Sequence, residues 1–207
     1  MLLTSKMCGL RKSLFGPMSV FLLLLLFSGG CAWVGNTLVG DTFHDPLMDF
    51  ASVKTVAVLP FFNLSKDQAA AERARDTFTT MLLADGGIYV VPPGETARGI
   101  NRVNMVIPSQ PSLEEVKKFA GITQVDAVIT GVVREYGEVR LASATANVMS
   151  LSLQMLDKES GAVVWTGSAT RGGISFTDRL FGGGGQPMDE ITRRVCQDLL
   201  DRLFAVK

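Results

Sequence analysis

The chain has 207 residues, with 20 Lys and Arg balanced by 20 Asp and Glu, one histidine and three cysteines. This balance offers no basic stripe, so no nucleic-acid partner is expected. A single imidazole makes no metal cluster, and three scattered cysteines make no disulfide framework. The length suits one domain with a substantial core better than two.

The chain opens with Lys6, Arg11 and Lys12, without an acidic residue, followed by an apolar run from Val20 to Phe27, or from Met18 if Ser19 is tolerated. A bilayer-crossing helix needs roughly 17–25 apolar residues, so this run is too short to span. Basic residues, a short apolar stretch and then small residues form the layout of a secretory signal, which assigns residues 1–30 to a signal peptide. Met7 serves as a start as well as Met1, whereas a start at Met18 would delete every basic residue. Ser28-Gly29-Gly30-Cys31 resembles the lipobox of bacterial lipoproteins, with Ser28 where that family usually has an aliphatic residue. The resemblance implies cleavage between Gly30 and Cys31, acylation of Cys31, and, because Ala32 rather than Asp follows, sorting to the outer membrane. Two or three acyl chains on one cysteine exceed the marginal anchoring of a single chain. Ordinary secretion with Cys31 as a free thiol and a retained anchor helix are the competing readings.

Residues 31–52 lack sustained periodicity and read as the lipidated cysteine and a tether that partly packs on the domain. Val53 to Pro60 is a β-branched run bounded by proline, which predicts a buried strand. Ser65-Lys66-Asp67-Gln68 is a capping box ahead of Ala70, Ala74, Phe78, Met81 and Leu82 at helical spacing, ended by Gly86. Ile88 to Val91 predicts a second strand, stopped by Pro92-Pro93. Gly94 to Pro111 is polar and irregular, with at most one helical turn. Ser112-Leu113-Glu114-Glu115 opens a helix with Val116, Phe119 and Ala120 on one face, closed by Gly121.

From Asp126 the period changes to two. Ala127 to Tyr136 and Asn147 to Leu156 predict strands, the second with Met149, Leu151, Leu153 and Met155 facing a core and Ser150, Ser152 and Gln154 facing water. Lys158-Glu159-Ser160-Gly161 supplies a hairpin turn into a strand from Ala162 to Ala169. After glycines 182–185, Pro187, Ile191, Val195, Leu199 and Leu203 define a closing helix. Cys196 within it reads as a small buried hydrophobe rather than a reactive thiol. The fold class expected is α/β (α+β): a single domain over 53–207, a mixed β-sheet with helices packed mainly on one face, in the order β-α-β-α-β-β-β-α.

Catalytic patterns fail. His44, the only histidine, lies in the tether, so the domain has no Ser-His-Asp or Cys-His pair. The four glycines at 182–185 are not followed by Lys-Ser/Thr and read as a flexible loop rather than a phosphate cradle. Glu135 with Glu138, and Asp157 with Glu159, could pair for acid-base work, but they sit at strand ends and turns where exposed charge is ordinary. The expectation is no enzyme and no cofactor.

Val56-Ala57-Val58-Leu59-Pro60-Phe61-Phe62-Asn63-Leu64-Ser65 resembles the opening strand of a group of periplasmic lipoprotein domains that includes CsgG, LpoB and PelC. Val125 to Gly131, Leu151 to Asp157 and Ser160 to Trp165 are similar in type and order to that group's three later strands. The resemblance implies a periplasmic, outer-membrane-anchored accessory subunit. A CsgG-like secretion pore needs lipid-facing strands of about 9–11 residues, which the connection from Gly137 to Thr145 cannot hold beside the core strands. An LpoB-like activator of a peptidoglycan synthase needs a long Pro-rich linker, whereas this tether of about 20 residues spans roughly 70 Å fully extended. The PelC-like layout fits better: short tether, compact domain, and the Leu-Pro-Phe-x-Asn-Leu-Ser stretch. It implies polysaccharide export, a homo-oligomeric ring, and an outer-membrane export barrel as partner. It also implies an aromatic membrane contact after the last strand, where Ile174, Phe176 and Phe181 stand among glycines. Core packing of these three is the competing reading.

Overall fold

A computed structural model describes residues 41–141, 144–173 and 186–205. In chain order they form β1 (Thr42–His44), a 3-10 turn (Phe50–Ser52), β2 (Thr55–Val58), β3 (Phe62–Asn63), α1 (Ala70–Asp85), β4 (Tyr89–Val90), α2 (Pro93–Val103), α3 (Leu113–Thr123), β5 (Ala127–Leu141), β6 (Ala144–Asp157), β7 (Val163–Gly172) and α4 (Met188–Phe204). One seven-stranded mixed sheet runs β1-β7-β6-β5-β2-β4, with β3 following β2 along the edge of β5. Pairing is parallel among β2, β3, β4 and β5 and antiparallel from β5 through β6 and β7 to β1. This is the single mixed α/β domain that the alternating patterns predict.

The apolar spacing explains the layers. On β2, Val56 and Val58 join the core beneath α1 and α4, while Ala57 and, just past the strand, Leu59 join a second core beneath α2 and α3. A strand covered on both faces must read as a continuous apolar run, as this one does. β6 instead alternates: Met149, Leu151, Leu153 and Met155 enter the larger core and the intervening polar residues do not. α1 buries Ala70, Ala74, Phe78 and Leu82 and ends at Gly86, whose left-handed φ of 72° suits glycine. α4 buries Ile191, Val195, Cys196, Leu199 and Leu203 on the same side of the sheet. Arg171 on β7 grips Asp198 on α4 through two bonds of 2.6 and 2.7 Å, which holds the Arg171 pKa above its usual value. The larger core therefore joins β2, β5, β6 and β7 to two long helices; the smaller one packs α2 and α3 on β2, the residue after β4, Val128 of β5 and Leu156 of β6.

Several local expectations are corrected. The Ser65–Gln68 capping box does not cap α1. Ser65 instead donates its N–H and hydroxyl to Asn63 Oδ1 (3.0 and 2.8 Å), and Asp67 Oδ1 accepts from Ala69 N (2.9 Å). These local side-chain bonds hold a turn that competes with the helix, so α1 begins at Ala70. The polar stretch after Pro92 contains the three-turn α2, with Pro93 and Glu95 in its first turn and Arg102 in its last. Its glycines and charged face hid the period: Gly99 sits where an added Cβ would lie 2.7 Å from Phe119 and Thr123 side-chain atoms, so the crossing with α3 requires glycine. The Ser112–Glu115 capping box is present as predicted, but α3 runs through Gly121 to a left-handed Gln124. The connection from Gly137 to Thr145 is not a loop between shorter strands. β5 continues to Leu141 and β6 starts at Ala144, paired by Glu138 with Asn147 through Leu141 with Ala144. Within the expected tether, Thr42–His44 pairs with β7.

Candidate functional site

The smaller helix layer reaches β6 only at its Leu156 end, leaving the rest of that face uncovered. Side chains alternate across the sheet, so Thr130, Val132 and Arg134 of β5, Ser150, Ser152 and Gln154 of β6, and Thr166, Ser168 and Thr170 of β7 share the face opposite the larger core. Most of them line a concavity of about 580 Å³, rimmed by Asp41 to Phe43 on one side and Ser109 to Pro111 on the other. Each rim is tied to the floor: Ser168 N donates to Asp41 O (3.1 Å) and the Thr130 hydroxyl donates to Ser109 O (3.1 Å). The ladder slips between Val133 and Glu135, and the extra residue turns Arg134 over the face, where its Nε donates to Ser152 Oγ (3.1 Å).

The chemistry follows from the partners. Thr166 donates its hydroxyl to Leu153 O (2.9 Å) and Thr170 donates to Ser150 Oγ (2.9 Å). Arg134, the partner of Ser152, is a donor and cannot take a proton from a hydroxyl. Asp41 is the one carboxylate among the lining residues. The face can hydrogen-bond neutral polar groups and stack an apolar ring on Phe43, which is half exposed. It does not pair a nucleophile with a base.

Of the residues singled out in the sequence, Gly30, Cys31, Ile174, Phe176, Phe181 and the glycines at 182–185 lie outside the described residues. The flanks of the 174–185 segment are described, and both fasten to Asn147: its carbonyl accepts from Gly173 N (2.8 Å) and its Nδ2 donates to Gln186 O (3.0 Å). His44 is exposed on β1. Asp157 Oδ2 accepts from Ser160 N (2.8 Å), Ser160 Oγ (2.8 Å) and Glu159 N (3.1 Å), a turn bracket in place of an acid-base pair. Glu135 and Glu138 are exposed. Cys196 is buried, and burial pushes its thiol up to about 12. No group of three or more potential metal-ligating side chains occurs among the described residues. The polar row on β6 is readable from its alternation; the position of Arg134 depends on a bulge, and the rim at Ser109–Pro111 on a crossing, neither of which leaves a local sequence signal.

The GNA1162-like lipoprotein family matches residues 48–203. No curated protein sequence matches. A PelC dodecamer from Paraburkholderia phytofirmans is similar in structure, with TM-score 0.55 and 18% identity over 80% of this chain and 97% of that one. Lipoprotein GNA1162 from Neisseria meningitidis is similar with TM-score 0.53 and 19% identity over 73% of this chain and 99% of that one.

Proposed function

This chain belongs to the GNA1162-like lipoprotein family, and from that premise we propose that it is an outer-membrane lipoprotein, anchored through acylated Cys31, that works as a non-enzymatic accessory subunit for polysaccharide export. The observation that carries this reading is where the folded domain starts. β1 begins at Thr42, eleven residues after Cys31, and that length of chain reaches at most about 40 Å when fully extended. A domain so tethered works beside its own membrane. The same limit counts against an activator that must cross the cell wall to an inner-membrane synthase.

The β5–β6 hairpin argues against a self-made pore. Only the four pairs from Glu138–Asn147 to Leu141–Ala144 extend past the ends of β3 and β7, roughly 14 Å of ribbon against a hydrocarbon core of about 30 Å. An accessory subunit therefore needs a separate outer-membrane barrel. PelC, whose fold this chain shares, is a dodecamer, which supports a homo-oligomeric arrangement here. Ile174, Phe176 and Phe181 are proposed as the membrane or barrel contact, on a segment whose two ends are fastened side by side at Asn147.

Deleting the gene and measuring two outputs tests this. Loss of surface polysaccharide with unchanged peptidoglycan synthesis is expected; unchanged polysaccharide with reduced cross-linking of the wall would replace export with synthase activation. Turnover of a glycan by the purified chain, surviving His44→Ala but lost in Glu135→Ala or Asp157→Ala, would overturn the non-enzymatic role.

A further inference from the structure

The two outermost strands, β1 and β4, lie at opposite ends of the sheet, and each end carries a feature that the open concavity does not use. Just past β1, Asp45 Oδ1 accepts the N–H of Leu47 (2.9 Å) and Asp45 O accepts that of Met48 (3.2 Å). This closed turn holds Leu47 outward, 93% exposed. Asp49 follows, its carboxylate fixed on Ala51 N (3.1 Å). An apolar knob thus stands on a rigid turn between two carboxylates.

Beside β4 there is a recess of about 220 Å³ between that strand, α2 and α3. Tyr89 and Ile122 supply exposed apolar walls, Gly99 lies among the lining residues, and Arg98 and Arg102 stand on the same helix face of the lining. Arg98 is held by Glu95, whereas Arg102 has no ion-pair partner among the described residues. The recess exceeds the roughly 150 Å³ that suffices for a benzene-sized apolar group.

We propose that these are the two halves of one contact between copies of this chain: Leu47 of one copy seats between Tyr89 and Ile122 of the next, with Asp45 and Asp49 facing Arg102 and Arg98. The proposal rests on the homo-oligomeric reading above and adds the surfaces that make it. Size and apolarity match across the pair, and Arg102 supplies the charge match, since Arg98 is paired with Glu95, which also lines the recess. The halves occupy opposite ends of one sheet, so the contact is heterologous and repeats head to tail, closing into a ring if the rotation per copy allows it. A few anchors seated in well-packed pockets, ringed by contacts that exclude water, carry most of the energy in such interfaces.

Directed disulfides in the full-length chain, in native outer membrane, test it. Leu47→Cys and Ile122→Cys single variants should give no cross-linked species alone and dimers when co-expressed, and the double variant should give a ladder; the unsubstituted chain is the control for its own cysteines. Leu47→Asp should weaken self-association more than about tenfold with the thermal transition of the domain unchanged, because the side chain is exposed. Oligomers that form without the 47–122 cross-link and ignore Leu47→Asp would overturn this contact and leave the oligomeric reading standing. A chain that stays monomeric in membrane and in detergent at every concentration would remove both.

Discussion

On β6, Met149, Leu151, Leu153 and Met155 are buried under α1 and α4, while Ser150, Ser152 and Gln154, one residue along in each case, belong to the opposite face. The two faces of one sheet thus hold different kinds of structure. The α1 and α4 side is a continuous apolar core whose helices follow directly from stripes such as Ile191, Val195, Leu199 and Leu203. The other side carries a small core under α2 and α3 at one end and polar groups, bonded to each other and to backbone, over the remainder. The larger share of the apolar core lies on the first face, and the open part of the second is free to bear recognition chemistry.

The largest break in that comparison comes from Phe78, which is fully buried and packs its ring against Phe61 at 6.3 Å. Phe78→Ala should lower unfolding free energy by about 3–5 kcal/mol in urea titration; a loss under about 1 kcal/mol would show that the large core is not the main support. Gly99→Ala tests the smaller core. The added methyl group meets Phe119 and Thr123 at 2.7 Å, so a loss of about 1–3 kcal/mol is expected, with exchange protection falling in α2 and α3 before it falls in α4. Next is the pH response at the junction of β2, β5 and the β6–β7 turn. Lys158 Nζ on Asp126 Oδ1 (2.8 Å), with the N–H groups of Lys54 and Thr55 on Oδ2 (3.0 Å each), holds the Asp126 pKa below its ordinary value. A pKa lower in the folded than in the unfolded state contributes stability that is complete above the ordinary aspartate value and disappears as pH falls toward the folded one. Asp126→Asn should flatten the acid limb of a thermal-melt series. The smallest effect belongs to the open face. Ser152→Ala removes only a bond to exposed Arg134 and should change stability by less than about 0.5 kcal/mol; a larger loss would make that face structural.

Legibility in the sequence followed the same division. Strands β6 and β7 and helices α1 and α4 could be read because their burial is mainly one-sided and periodic, β5 because its start is a continuous apolar run buried on both faces, and the Ser112–Glu115 box because both of its bonds are local. α2 could not: its buried Thr96 and Gly99 are small, and its stability comes from α3 crossing over a glycine, a long-range fact. The Ser65–Gln68 box does not form because Asn63 Oδ1 takes the Ser65 N–H and hydroxyl that the box would use, and Asp67 Oδ1 takes Ala69 N. On the open face the row of hydroxyls was legible, whereas Arg134 and the Ser109–Pro111 rim depend on a bulge and a chain crossing. The knob at Leu47 sits in a stretch without periodicity, where exposure cannot be read from composition.

The proposed anchoring rests on Cys31, since an acylated residue only eleven positions before β1 would hold the domain at its membrane. Mass spectrometry of the N-terminal peptide, with membrane fractionation of the chain and its Cys31→Ser variant, measures this directly. A peptide beginning at acylated Cys31, and a variant released from the outer membrane, are the predicted results. An N-terminal peptide with unmodified Cys31, together with a Cys31→Ser variant still in the outer membrane, would contradict the account.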